Sequence, residues 1–338
     1  LDDNAFLSLS VINQLRRLAT EKLDNMLMNK NNRFPVDEKY YQQKKKEVFG
    51  YKKINREIDN NVSIKVNTLE QFNQLDLNKL DRIYLGFYDN IDKVVDEIVK
   101  CGKEIFIWTD KILYQKDLEH IGDIIEQVKD KINGISVSNL GSLKYFKDRF
   151  NLRVHGDIGL NVFNSFTLNY FNKVGLDSVT LSPELNLHQI ARINEKSASI
   201  TEIIVYGYLP LMVTEYCPMS VVKGCKDDKN CKSCNFANGY GLKDRLGKTF
   251  LMERKEGTTK IYNSVPIFVL DDLKQIFSKG VSMARLDFTA EKGSVKEIQT
   301  VFYEYAKGLI GEDEIKDFMN KYRKENDITK GHLFRGVV

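Results

Sequence analysis

The chain has few side chains able to act as a base near neutral pH: 338 residues contain four histidines, His120, His155, His188 and His332. A Ser-His-Asp or Cys-His hydrolase would have little to choose from in such a set. There is no GxGxxG or GxxxxGKS/T phosphate loop, no HExxH helix and no GxSxG nucleophile elbow. Hydrolysis is therefore not supported by residues alone. Long apolar runs are also lacking. None is long enough to cross a bilayer, and no charged segment followed by an apolar one opens the chain as in a secretory signal. The expectation is a soluble, cytoplasmic protein with no membrane partner. Charge of one sign is not in excess either, since 51 basic and 47 acidic residues leave a net charge of +4. Such a surface permits a nucleic-acid partner without demanding one.

Cysteine is scarce and crowded. Of five, Cys217, Cys225, Cys231 and Cys234 fall within 18 residues, while Cys101 lies far upstream. A chain with 42% hydrophobic residues can bury a large core without covalent staples, which argues against disulfides. Thiolates at short spacing, with Cys231 and Cys234 forming a CxxC pair, can converge on one metal centre at low entropic cost. Both tetrahedral zinc and an iron-sulfur cluster accept four thiolates, and spacing alone does not choose between them.

The pattern along the chain predicts an amphipathic helix over 10–28, with Ile12, Leu15, Leu18, Leu23 and Met26 at helical spacing and Ser10 as its N-cap. Residues 29–61 show little periodicity and a lysine bias, and read as a solvated linker or an RNA-facing strip. Short β-rich runs then alternate with helical ones. The expected strands are 63–66, 82–87, 104–108, 134–137, 152–155, 178–181, 203–206 and 282–288. Eight βα repeats of this size predict a (β/α)₈ TIM-like barrel, with a doubly wound open sheet as the alternative. Three regions follow: an N-terminal helix and basic linker over 1–60, the barrel over 61–310, and a C-terminal helix and tail over 311–338. A long gap separates the seventh and eighth strands. It is a cysteine-rich insertion over 207–264, on the face where barrel active sites are built.

Strand ends supply further candidates. Asp110, His155, Asp157, Glu184 and Asp287 each follow or close a predicted strand and so can face the barrel mouth. Glu184, His155 and Asp157 are taken as candidate catalytic residues, against a helix-capping role for Glu184 and a structural hydrogen-bonding role for His155. Tyr206, Tyr208 and Tyr216 flank the insertion and can stack on a base or ring substrate, or pack around a metal loop.

The run Tyr206-Gly207-Tyr208-Leu209-Pro210-Leu211-Met212, followed by Thr214-Glu215-Tyr216-Cys217-Pro218, resembles the signature region of peptidase family U32. Leu160 to Ser165 and Thr180 to Leu185 resemble the segments that precede that signature, and Leu242 to Arg245 and Ile261 to Ser264 those that follow it. Thr329 to Val337 resembles the end of the longer members. Leu9 to Arg17 resembles the join between their middle region and a second barrel-like region. With a start at Leu1-Asp2-Asp3 rather than Met, the resemblance implies the C-terminal half of a longer member, whose upstream half would be its partner.

The family was named for collagenase-like peptidase activity, and related bacterial members are implicated in hydroxylating ribosomal RNA, transfer RNA or the ubiquinone ring. Prephenate is associated with some of the RNA reactions. The resemblance implies a [4Fe-4S] cluster, with Cys217 at the signature cysteine and Cys225, Cys231 and Cys234 as the further ligands; Zn²⁺ on the same thiolates is the alternative. Related hydroxylases spread their cysteines further apart, and many place one just before the segment matching Ile261-Tyr262-Asn263, where this chain has none. The expected function is RNA-base hydroxylation, of ribosomal RNA in the first place. A U32-type peptidase and a non-catalytic zinc-stabilised binding barrel are the alternatives.

Overall fold

The computed structural model describes residues 6–33, 35–49, 59–223, 240–255, 257–289, 291 and 293–336. The chain divides into two compact units, Leu1–Lys52 and Lys53–Val338. The first contains helices α1 (Leu9–Lys30) and α2 (Glu38–Phe49). Helix α1 starts one turn-position earlier than its periodicity predicts, because Ser8 rather than Ser10 accepts the capping bond, from the Val11 amide. Helix α2 lies where the sequence reads as linker. Its start is capped by Asp37, which accepts from the Tyr40 amide, and its surface is tied by Gln42 to Glu38 and Lys44 to Glu47. Such a helix is held by pairs three and four residues apart and carries no apolar stripe to betray it.

The second unit is a closed barrel. Its parallel strands are β1 (Asn61–Val66), β2 (Arg82–Leu85), β3 (Glu104–Trp108), β4 (Gly134–Val137), β5 (Arg153–Gly156), β6 (Ser178–Thr180), β7 (Ile200–Gly207) and β13 (Met283–Asp287). Neighbours pair in chain order, and β13 closes the ring between β7 and β1. All eight expected strands are present, and the closed ring selects the (β/α)₈ barrel over the open sheet. Helices α3 (Leu69–Phe72), α4 (Ile91–Lys100), α5 (Gln115–Val128), α6 (Leu140–Arg149), α7 (Ser165–Val174), α8 (Leu187–Asn194), α10 (Leu273–Ser278), α11 (Val295–Ala306) and α12 (Glu312–Glu325) accompany the strands. Asn139, Asn164 and Asn186 start three of them by accepting the amide three residues on.

Alternation along the strands sorts the core. Ile64, Ile83, Ile107, Ile135, Val154, Val179 and Leu286 join one apolar cluster with residues of the surrounding helices. The alternate residues point into the barrel and are largely polar: Ser63, Lys65, Arg82, Ser136, His155, Ser178, Thr180, Glu202, Arg285 and Asp287 are all buried. Tyr84, Phe106 and Trp108 form a separate small aromatic cluster among them.

Between β7 and β13 the insertion builds a second, antiparallel sheet in the order β8 (Pro210–Thr214), β11 (Thr258–Tyr262), β10 (Thr249–Lys255), β9 (Tyr240–Lys243). A short helix α9 (Pro218–Lys223) follows Cys217, and β12 (Ile267–Phe268) adds antiparallel to the end of β7. Gly207 makes this exit possible. Its φ is +129°, and a Cβ there would lie 2.2 Å from the Asp287 carbonyl oxygen.

Candidate functional site at the barrel mouth

The barrel interior is an ion and hydrogen-bond network in layers. Near the N-terminal ends of the strands, Arg82 pairs with Glu104 at 2.7 Å and donates to Ser178 at 2.8 Å. In the middle, Ser63 and Tyr84 both donate to Glu202, at 2.6 and 2.9 Å, and Arg285 pairs with it at 3.2 Å. His155 bonds Ser178 through Nδ1 and Thr180 through Nε2, both at 2.8 Å, with Glu202 at 3.5 Å. Burial pushes the imidazole pKa down to about 4. Fully enclosed and with both ring nitrogens engaged, His155 holds the interior together as a neutral ring.

One layer higher, Asp157 accepts from the Trp108 indole N–H at 2.5 Å, the Ile158 amide at 2.7 Å and Arg285 at 2.7 Å. Burial raises its pKa, but Arg285, His155 and Lys65 outweigh that and hold the carboxyl well below the usual carboxylate range. Lys65 pairs with Asp287 at 3.0 Å and sits 4.0 Å from the Trp108 ring centroid. Lys260 of the insertion sheet reaches the same indole at 4.8 Å and pairs with Asp110 at 2.5 Å. Burial opposes the Lys260 charge, yet Asp110 and Glu253 raise its pKa. Lys65 and Asp287 are register partners in β1 and β13, so Asn67 and Thr289, two residues further on, stand level at the rim. Both Asn67 side-chain polar atoms and the Thr289 hydroxyl are buried with no hydrogen-bond partner among the described residues. Polar groups left so cost about 1–3 kcal/mol each unless water or a ligand meets them.

The insertion sheet roofs part of this mouth. Lys255 donates to the Gly86 carbonyl at 2.9 Å, and Tyr114 after β3 donates to the Glu215 carboxylate. Between roof and barrel lies a cleft of about 270 Å³, lined by Tyr114, Lys116, Glu215, Arg254, Lys255 and Lys260 among others.

The sequence candidates separate in space. Asp110, Asp157 and Asp287 converge on the mouth, and His155 lies beneath them. Glu184 is exposed in the turn after β6, where its amide bonds Ser182. Tyr206 does not face the mouth. A β-bulge in β7, where Ile204 pairs with Arg285 but Tyr206 with Leu286, reverses the alternation and turns the ring outward onto Phe268, Phe288 and Phe302. Tyr208 is half-buried, its pKa pushed up to about 12 by burial and by Glu291. Tyr216 is 58% exposed beside the roof. Cys217 is a partly buried free thiol whose carbonyl accepts the Ser220 amide. Cys225, Cys231 and Cys234 lie outside the described residues. Among the described residues no group of three His, Cys, Asp or Glu side chains is placed to hold a metal ion, and no helix is long and apolar enough to cross a membrane.

Sequence reasoning missed Lys65, Arg82, Trp108, Glu202, Arg254, Lys260 and Arg285. The strand residues among them carried a signal: strands of a parallel sheet usually read as continuous apolar runs, and charges at every second position mark a polar interior.

Residues 67–335 match the model of peptidase family U32. The chain is 30% identical to uncharacterized protease MJ0090 of Methanocaldococcus jannaschii over 125 residues, covering 35% of this chain and 30% of that protein. It is 27% identical to tRNA hydroxylation protein P of Haemophilus influenzae over 197 residues, covering 57% of this chain and 40% of that protein. It thus spans less than half the length of these curated relatives. Among solved structures, the U32 peptidase Mk0906 aligns with TM-score 0.42 and 11% identity over 70% of this chain and 96% of that one. A mutant tryptophan synthase alpha-subunit from Pyrococcus furiosus aligns with TM-score 0.41 and 11% identity over 74% and 99%.

Proposed function

Since the chain belongs to peptidase family U32, we propose that it serves the hydroxylation of an RNA base, with the substrate meeting the C-terminal mouth of the barrel. The observation that carries this is the similarity over 197 residues to tRNA hydroxylation protein P. The mouth agrees with it. Lys116, Arg254, Lys255 and Lys260 line the cleft, and Tyr216 offers an exposed ring nearby on which a base can stack.

Cys217, Cys225, Cys231 and Cys234 would hold a [4Fe-4S] cluster, or Zn²⁺ in its place. The one described member fits such a role, being a free, partly buried thiol two residues from Glu215 of the cleft wall. A bound cluster supplies electron transfer, whereas zinc would tie the insertion together. The chain's own residues do the rest: Lys65, Asp287, Asp157 and Trp108 form a rigid floor, while Asn67 and Thr289 offer unengaged polar groups at the rim.

Peptide hydrolysis is less well supported, although one relative is named a protease. Ser178, His155 and Glu202 are linked as a nucleophile, base and acid would be, but all three are at most 1% exposed inside the barrel, where a polypeptide has no access.

The test is mass spectrometry of transfer and ribosomal RNA nucleosides from a strain lacking the full-length protein. One hydroxylated nucleoside should revert to its parent, one oxygen lighter. Unchanged nucleosides in both RNA classes would sink the proposal.

A further inference from the structure

The barrel's other buried cations come with carboxylates. Lys65 has Asp287, Arg82 has Glu104, Arg285 has Asp157 and Lys260 has Asp110. Arg254 on β10 is different. It is 6% exposed, and its Nη1 donates to the Glu215 carbonyl at 2.7 Å and the Thr259 hydroxyl at 2.9 Å, both neutral acceptors. Its Nε is buried with no acceptor, and among the described residues no carboxylate lies within ion-pair distance. A buried cation without a counter-charge is strongly unfavourable, and the absence of one among the described residues favours an anionic ligand at this position.

The surroundings point the same way. Arg254 lines the 270 Å³ cleft together with Lys255 and Lys116. Of the carboxylates lining it, Asp110 pairs with Lys260, while Asp117 and Glu215 accept from the Tyr114 amide and hydroxyl and keep their charge, so the cleft's four cations, Lys116, Arg254, Lys255 and Lys260, outnumber its carboxylates by one. A guanidinium fork at depth, in a cleft that lysines also line, suits a tetrahedral oxyanion with several acceptor oxygens.

We infer that this cleft is a phosphate-binding site centred on Arg254 and that the phosphate is one of the RNA strand, an assignment resting on the RNA reading above. The site positions the strand, and base recognition belongs to the mouth beside it. Free inorganic phosphate offers the same chemistry and is the other source.

The experiment measures binding of a fluorescently labelled single-stranded RNA by anisotropy, at several salt concentrations, and of inorganic phosphate by ³¹P line broadening. Wild-type chain is compared with Arg254→Gln and Lys255→Ala, each checked for thermal unfolding. Loss of one charged contact should weaken RNA binding roughly ten-fold in Arg254→Gln and lower the salt slope by about one, with phosphate competing in the wild type. Lys255→Ala, whose lysine lies at the side of the cleft, should show a smaller loss in the same direction. Phosphate binding that depends on Arg254 while RNA binding does not would overturn the RNA assignment. RNA and phosphate binding unchanged in folded variants would overturn the site. Nucleoside analysis separates the two proposals. A hydroxylation defect in the deletion strain that Arg254→Gln fully restores removes the phosphate site and leaves the function standing. Arg254-dependent RNA binding with unaltered nucleosides does the reverse.

Discussion

Arg285 and Asp157, 128 positions apart in the chain, meet at 2.7 Å in the sealed interior of the barrel. The same guanidinium reaches Glu202 at 3.2 Å and Asp287 at 3.3 Å, so one cation from β13 meets three carboxylates, one just after β5, one in β7 and one on its own strand, the last shared with Lys65.

Arg285→Met should therefore be severely destabilising. It leaves buried Asp157 and Glu202 without their arginine and Asp287 with Lys65 alone, and breaking a buried ion pair from one side costs about 3–5 kcal/mol. Urea denaturation would show it; a change below about 1 kcal/mol would mean the network is hydrated and dispensable.

Stability should also depend on pH through His155. The unfolded imidazole takes up its proton near pH 6.5 and the folded one only near about pH 4, so the unfolded state binds more protons between those values. Stability is thus fully present above pH 6.5 and falls as the pH drops through this window. Asp157 and Glu202, both lowered from their ordinary values as burial is outweighed by His155 and Arg285, extend the loss to lower pH. His155→Asn should flatten the slope between pH 6.5 and 4; an unaltered slope would assign it to other groups.

Tyr206 and Tyr216 should respond oppositely to truncation. Tyr206→Ala opens a cavity among Phe268, Phe288 and Phe302 and should cost about 3–5 kcal/mol of stability. Tyr216→Ala should change stability by less than about 0.5 kcal/mol yet weaken RNA binding by about 1–3 kcal/mol, the worth of one stacked base. Equal RNA affinity for wild type and Tyr216→Ala would remove the stacking role.

Gly207→Ala should disrupt the insertion. Its Cβ would strike the Asp287 carbonyl oxygen, and its φ of +129° is closed to alanine. The expected outcome is a lower melting temperature with early proteolysis of the roof sheet. Wild-type stability would show that the exit from β7 relaxes freely.

For the cysteines, anaerobically purified protein should contain iron and acid-labile sulfide, both lost in Cys217→Ser. Iron-free protein carrying stoichiometric zinc would replace the cluster with a structural metal, and loss of folding in a Cys231→Ser, Cys234→Ser double variant would follow from it.

The sequence by itself determined a parallel sheet of eight βα repeats, and the pairing of β13 with both β7 and β1 decided the closed barrel over the open sheet. Strand runs at regular spacing, each followed by a helical segment, leave few ways to bury both sheet faces, and all eight strands stand where the pattern puts them. It also placed Asp110, Asp157 and Asp287 at the mouth, because a residue at the C-terminal end of a parallel strand has nowhere else to go. Helix α2 escaped notice because its stabilising pairs are polar and leave no hydrophobic period.

What only the tertiary structure decided is which residues face each other and with what charge. Periodicity states that a side chain points inward but not that Arg285, besides Asp287 on its own strand, will find Asp157 and Glu202, which come from parts of the chain 128 and 83 positions away. Nor does it announce a bulge, and one extra residue in β7 moved Tyr206 from the mouth to the outer core. The charge of Arg254, without a carboxylate partner among the described residues, is of the same kind. In sequence it is one basic residue among 51. Only the fold buries it in a cleft beside Lys116, Lys255 and Lys260, away from any carboxylate partner among the described residues.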